Sequence, residues 1–255
     1  MYLCGMRFLY DLGIRCYVFA VYIIALFGNE KAQMWINGRK NIFKQLEQVE
    51  PNTIWIHAAS LGEFEQGRPI IESIKTKNPN QKILLTFFSP SGYEIRKNYP
   101  LADYIFYLPF DSSQNAKRFI AITKPKLAIF VRGEFWYHYI NKLHSNQIPI
   151  YSISALFRSN QHFFKSYGHF FRQMLFRFEH IFVQNEASLL LLKKHNILNA
   201  TISGDTRIDR VWDVKSKAIS CPILAKFTNQ RPTFICGRTW PEDENIIAEY
   251  ITSSK

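Results

Sequence analysis

Short apolar runs of strand length alternate with stretches of helical period through the middle of this chain, and that alternation limits its fold more than any other feature. The runs are Thr53–His57, Ile83–Phe88, Tyr104–Tyr107, Lys126–Val131, Pro149–Ile153, His180–Gln184 and Ala200–Ser203. Between them lie helical stretches over Glu63–Lys77, Gly92–Asn98, Ser112–Thr123, Phe135–Ser145, Gln161–Phe178 and Glu186–His195. Strand–helix–strand units close with a right-handed crossover and build a parallel sheet covered by helices on both faces. The expected class is therefore α/β, with a Rossmann-like parallel-sheet domain. No G-x-G-x-x-G opens a helix after any of the runs, so a dinucleotide-binding fold is not supported.

In such a sheet, ligands bind beyond the carboxyl ends of the strands, so the loops that follow the runs are where chemistry is sought. The first run ends in Ala58-Ala59-Ser60-Leu61-Gly62-Glu63. Ser60 and Glu63 have the S-x-x-E spacing of a capping box, so Glu63 either satisfies a backbone N–H or stands in the crevice. A second acid, Glu134, follows another run in Val131-Arg132-Gly133-Glu134-Phe135-Trp136. It is either a first-turn glutamate favoured by the helix dipole or the partner of Glu63 across the cleft. Two such acids can divide labour, one accepting a proton and the other steadying positive charge. Ser89-Pro90-Ser91-Gly92 offers hydroxyls and backbone N–H groups to a sugar or phosphate, although such a turn needs no function to exist. Arg207, in Gly204-Asp205-Thr206-Arg207, either stabilises a departing phosphate or pairs with Asp205 or Asp209. No histidine sits in a metal-ligand pattern, and neither a metal nor a cofactor is expected.

Charge narrows the partners. A formal net charge of +12 over 255 residues points to a polyanion, which nucleic acid, anionic lipid or a phosphorylated substrate would all satisfy. The N-terminus favours the membrane, because Cys16 to Phe27 reads CYVFAVYIIALF without a charge. That run is shorter than the ~20 residues that span a bilayer, so an interfacial anchor and a tilted span are both open, with a buried core helix as the contrasting reading. Lys31, Arg39, Lys40 and Lys44 follow it and place the body of the protein on the cytoplasmic side. From Phe157 to Phe178 the sequence is FRSNQHFFKSYGHFFRQMLFRF. Phe163, Tyr167, Phe170, Met174 and Phe178 recur at helical intervals, with Arg158, Lys165 and Arg172 beside them, as in a core helix with a solvated basic face or a helix lying on an anionic membrane, and the apolar N-terminus favours the second. The cysteines Cys4, Cys16, Cys221 and Cys236 form no C-x-x-C pair, which fits a reducing compartment.

The expected organisation is a membrane anchor with a basic flank over residues 1–45, a Rossmann-like domain over 46–210, an interdomain connection over 211–231, and the start of a second Rossmann-like domain over 232–255. The last of these rests on a strand at Thr233–Cys236, a turn at Gly237 and a helix opened by Pro241-Glu242-Asp243-Glu244.

Taken in order, HAASLGEFEQGRPII, ILLTFFSPSGYE, ADYIFYLPFD, KPKLAIF with EFW, FVQNEAS, GDTRIDRV and GRTWPEDE resemble the 3-deoxy-D-manno-octulosonic acid (Kdo) transferases of lipopolysaccharide biosynthesis. The resemblance implies a GT-B glycosyltransferase whose first domain binds the lipid A precursor and whose second binds CMP-Kdo. It implies Glu63 as the general base, Glu134 as stabiliser of an oxocarbenium-like transition state, and Arg207 as stabiliser of the charge moving onto CMP. Ser60, Ser89, Ser91 and Arg158 are the residues expected to hold the acceptor. Most of the donor-binding domain lies beyond Lys255 in this family, so the chain as given is expected not to turn over alone. The contrasting expectation is a non-catalytic module that holds an anionic glycolipid at a membrane surface. Nucleic-acid binding is the weakest reading, since no nucleic-acid motif is present.

Overall fold

The computed structural model describes residues 2–216, 222–229 and 231–253. They divide into two compact units, Met1–Trp212 and Asp213–Lys255.

The first unit begins with α1 (Tyr2–Leu26), α2 (Glu30–Asn37) and α3 (Ile42–Leu46). It continues through β1 (Ile54–Ala58), α4 (Leu61–Lys77), β2 (Ile83–Phe87), α5 (Pro90–Arg96), β3 (Tyr104–Tyr107) and α6 (Ser113–Thr123). After these come β4 (Leu127–Val131), α7 (Tyr137–Ser145), β5 (Ile150–Ala155), α8 (His169–Leu175), β6 (His180–Val183), α9 (Glu186–Lys194), β7 (Ala200–Ile202) and α10 (Thr206–Ser216), whose last four residues belong to the second unit. All seven expected strands form, and they pair in parallel in the order β3-β2-β1-β4-β5-β6-β7. This is the Rossmann-like sheet of a GT-B-type fold. Alternate residues of the strands feed opposite faces, and helices bury both. Trp55, Phe119, Phe130 and Tyr139 pack together on one face, and Ile56, Phe64, Ile71, Phe87 and Val131 on the other. Burial on both sides is why the strands read as continuous apolar runs instead of alternating ones.

Helix α1 has an apolar stretch, Gly5–Leu26, of 22 residues, long and apolar enough to cross a membrane. One stripe of it is docked on the unit. Tyr10 donates its hydroxyl to Asp111 Oδ2 at 2.6 Å, and Asp11 Oδ1 lies 2.5 Å from His138 Nε2. Tyr17 packs edge-on against Trp35 and at a tilt against Phe88. Phe8, Leu9, Leu12, Phe19, Ile24 and Leu26 remain exposed. Arg39, one of the basic residues after the apolar run, is not part of a free basic flank. Its guanidinium donates to the carbonyls of Trp35, Phe88 and Leu108 at 2.8–2.9 Å and so ties α2 to the ends of β2 and β3.

The expected single helix over Gln161–Phe178 is corrected. The segment folds as two 3-10 turns, His162–Phe164 and Ser166–Gly168, followed by the short α8. Its aromatic stripe does not face a membrane: Phe163, Phe170, Met174 and Phe178 are buried in the core, and only Tyr167 of the five stands out. Gly168 permits the fold-back, because a Cβ there would lie 1.8 Å from the carbonyl oxygen of His162.

In the second unit, α11 (Pro222–Thr228) and α12 (Pro241–Ser253) are helical. Pro241 opens α12 as expected, and Asp243 caps it by accepting from the Trp240 N–H at 3.0 Å. The strand expected at Thr233–Cys236 does not form. Phe234 and Ile235 are exposed there, and no strand among the described residues offers them a ladder; a β-run without a partner gains neither hydrogen bonds nor burial. Part of the expected connection over 211–231 is helical, in α10 and α11, while 217–221 and 230 lie outside the described residues.

Candidate active site

The chain fills the sheet outward from β1 to β3, then returns to place β4 against the other side of β1. The β1/β4 boundary is thus the topological switch point, where the loops leaving two neighbouring strands part and open a crevice. Glu63 follows β1, and Glu134 follows β4.

Glu63 lies in the first turn of α4 with its side chain 14% exposed. The capping box does not form. Ser60 is the N-cap residue, but its hydroxyl donates to the Glu63 carboxylate and makes no cap bond to the backbone. The other carboxylate oxygen faces Arg132, whose Nη1 lies 3.4 Å from Oε1. Gly67, one turn on, lets α4 approach β4, since a Cβ there would already press on Val131 Cγ2 at 3.1 Å.

Glu134 is not a first-turn glutamate. Helix α7 starts only at Tyr137, and its free N–H groups at His138 and Tyr139 are taken by Asp111, at 3.0 and 3.1 Å. Glu134 stands in the loop ahead of it, 20% exposed, where the Trp136 indole donates to its Oε2 at 3.0 Å. The same indole N–H lies 3.1 Å from His57 Nε2. Indole only donates, so Nε2 is the acceptor and the neutral ring carries its proton on Nδ1, which points at Thr86 Oγ1 at 2.9 Å. Glu134 Oε2 is itself 3.8 Å from His57 Nε2. His57 is fully buried in β1 and, with Trp136, orients the acid.

The remaining expected residues are placed less centrally. Ser89 caps α5, accepting from the Ser91 N–H at 3.3 Å, and the two hydroxyls lie 3.0 Å apart. Their loop is tied to the Glu63 loop by the Phe88 and Ser89 N–H groups, which both donate to the Ala59 carbonyl. Arg158 is exposed in the loop after β5, where its N–H donates to Gln161 Oε1. Arg207 pairs with Asp205 through Nε and Nη2 at 2.9 and 2.5 Å. Arg207 beside it, together with its own N–H and the Gln66 amide, holds the Asp205 carboxyl down at about 2. The Gln66 amide donates to Asp205, and the Thr206 hydroxyl to the Gln66 carbonyl. The loop bearing Arg207 is therefore laced to α4, the helix that carries Glu63.

Arg132, His57, Trp136 and Gln66 are the participants that the sequence patterns did not single out. A histidine inside an otherwise apolar strand was the one available signal. A pocket of about 430 Å³ opens beside Glu134, walled by Tyr10 and Ile14 of α1 and by Phe135, Trp136, Phe163 and Met174. Among the described residues no three His, Cys, Asp or Glu side chains gather as metal ligands.

The first unit resembles solved sugar-nucleotide epimerases in fold. The UDP-GlcNAc 2-epimerase from Neisseria meningitidis matches with a TM-score of 0.52 at 16% identity, over 70% of this chain and 53% of that one. The enzyme from Methanocaldococcus jannaschii matches at 0.50 and 13%, over 72% and 54%. Among curated proteins, the chain is similar to the 3-deoxy-D-manno-octulosonic acid transferase of Rickettsia bellii, at 27% identity over 97% of this chain and 59% of that protein. It is 28% identical to that of Rickettsia felis over 79% and 44%, and 39% identical to that of Aquifex aeolicus over 32% and 23%. The chain thus spans about half the length of the two Rickettsia proteins, 44% of one and 59% of the other. The family model for 3-deoxy-D-manno-octulosonic-acid transferase (kdotransferase) matches residues 35–210, which takes in every strand of the sheet and both acids. On that match, this chain belongs to the Kdo transferase family.

Proposed function

We propose that this chain is the acceptor-binding part of an inverting glycosyltransferase that moves Kdo from CMP-Kdo to a hydroxyl of the lipid A precursor, lipid IVA. The observation that carries the reading is the emergence of Glu63 and Glu134 from the two strands flanking the switch point, each held by a neighbour that is not its own helix backbone. Glu63 accepts the proton of the acceptor hydroxyl. That oxygen attacks the anomeric carbon of Kdo as the bond to the CMP phosphate breaks, and its electrons leave with CMP. Glu134, fixed by Trp136, faces the positive charge that builds on the sugar ring. Arg207 stabilises the phosphate that leaves, and no metal is required.

Ser60, Ser89, Ser91 and Arg158 hold the acceptor, and the apolar pocket between Glu134 and α1 suits part of an acyl chain. Helix α1, with its exposed apolar side, keeps the protein at the inner membrane, with the sheet domain on the cytoplasmic face. On this reading, transfer also needs a donor-binding domain, and the chain alone binds acceptor without turning over.

The test is Glu63→Ala in a chain carrying a complete donor-binding domain. The variant should fold and bind lipid IVA but lose transfer by a factor on the order of 100 or more. Unimpaired turnover would remove Glu63 from the chemistry. Acceptor binding without transfer by the unmodified full-length protein would favour a glycolipid-holding module instead.

A further inference from the structure

A second pocket, of about 490 Å³, lies away from both acids, between α6 and α7 and beside the start of α1. Its walls carry Arg7, Lys117, Lys142 and Arg177, with His138 and His144, and no carboxylate. Two acids stand behind it: Asp11, shared between His138 at 2.5 Å and Arg7 at 4.0 Å, and the buried Asp111, which accepts from the His138 and Tyr139 N–H groups at 3.0 and 3.1 Å and from the Tyr10 hydroxyl. Lys117, Lys142 and Arg177 have no ion-pair partner among the described residues. The guanidinium of Arg177 is half-buried, and its Nη1 is buried without a hydrogen-bond partner. Burial also holds that guanidinium below its ordinary pKa, against the opposing influence of the Tyr137 hydroxyl.

A neighbouring hollow of about 390 Å³ shares Lys117 and Lys142 and adds Lys124, so the cationic surface runs on along the α6/α7 groove. Converging cations that repel one another, one of them with a buried unanswered donor, are stabilised by an acceptor-rich anion. The excess of positive charge fits a dianion carrying several oxygens.

We propose that the α6/α7 groove is a binding site for a phosphomonoester. Arg7 belongs to the apolar helix α1, so the groove opens beside the segment that would meet a bilayer, where a lipid headgroup presents this chemistry; inorganic phosphate carries the same chemistry in solution. The site takes over the anionic-lipid role expected of a helix over 157–178, to which that segment contributes Arg177 alone, and it stands whether or not the crevice transfers a sugar.

The experiment compares the unmodified chain with the double variant Lys117→Gln/Lys142→Gln and a control, Lys193→Gln/Lys194→Gln, which removes equal charge from the exposed end of α9. Binding is measured to phosphatidylcholine vesicles with and without phosphatidic acid, and to inorganic phosphate by calorimetry. The groove variant should lose about tenfold in affinity for at least one phosphate probe, while the control changes less than about twofold. Loss confined to the vesicles assigns the lipid-borne group, and loss that extends to inorganic phosphate assigns a site for free phosphate. Equal losses in both variants, or none in the groove variant, would overturn the site. The lysines are chosen because both are on the surface of their helices, and circular dichroism of each variant checks that the fold is kept.

Discussion

Arg132, at the end of β4, reaches Glu63, at the start of α4, with Nη1 3.4 Å from Oε1. The contact spans the switch point and joins the loops that carry the two acids. It is made from a strained backbone, since Arg132 has φ of 67°, in the left-handed region that costs a residue with a Cβ roughly 1–2 kcal/mol. The arginine side chain is 43% exposed, so the ion pair returns only about 0–1 kcal/mol. Stability alone does not favour arginine here, and orientation of Glu63 is what it offers.

Replacing Arg132 with glycine should therefore separate stability from activity. Arg132→Gly relieves the backbone strain and forfeits a weak ion pair, so the thermal midpoint should hold or rise. Transfer by a full-length enzyme carrying it should fall on the order of tenfold or more, because Glu63 keeps the Ser60 hydroxyl but loses the second of the two groups that fix its position. Undiminished transfer would show that Arg132 does not position the base.

Trp136 holds Glu134 and His57 at once, with 3.0 Å to the carboxylate and 3.1 Å to the ring nitrogen. In Trp136→Phe, the fully buried His57 keeps its Nε2 but has no donor for it. Such an orphaned acceptor costs about 1–3 kcal/mol, and urea unfolding is the measurement. A variant as stable as the parent would mean that the indole bond is not what satisfies His57.

The strands were legible because both faces of a parallel sheet are buried, which leaves runs such as Ile83–Phe87 apolar throughout. The two acids were legible as well, because a carboxylate directly after such a run is placed by topology alone. What the sequence could not convey was their company. The partnership of Glu63 with Arg132, and of Glu134 with His57 through Trp136, joins residues far apart in the chain that only the sheet order brings together. The misread segment 161–178 failed for a related reason. Its spacing of Phe163, Phe170 and Met174 fits one helix, but Phe163 reaches the core from a 3-10 turn and Phe170 and Met174 from the separate short α8, and tertiary packing decided between the two arrangements. Thr233–Cys236 has strand composition, yet composition supplies no neighbour to pair with.

Gly168 tests that account. A Cβ at this position would fall 1.8 Å from the His162 oxygen and 2.9 Å from the Phe163 oxygen, both backbone atoms that cannot swing aside. Gly168→Ala should destabilise the chain by about 1–3 kcal/mol through overpacking, even though alanine is the better helix former. If it were instead stabilising, the segment would have relaxed toward the continuous helix that its spacing encodes, and far-ultraviolet circular dichroism would register the gain.

Asp205 supplies the pH dependence. Hydrogen bonds from Arg207 lower its carboxyl from the ordinary 3.8 to about 2, with the Gln66 amide assisting. The folded value lies below the unfolded one, so the stabilisation is complete above about 4 and fades as pH falls through about 2. The full shift corresponds to about 2 kcal/mol, and because Arg207 is 57% exposed the solvent-screened contribution is nearer 1 kcal/mol. Arg207→Gln should accordingly lose about 1 kcal/mol near neutral pH, and the difference from the parent should shrink as both are unfolded by urea at progressively lower pH. The Asp205 carboxyl, followed by carbon-detected NMR, should titrate nearer its ordinary value in the variant. A penalty that stays constant down to pH 2 would place the role of Arg207 in packing instead of charge.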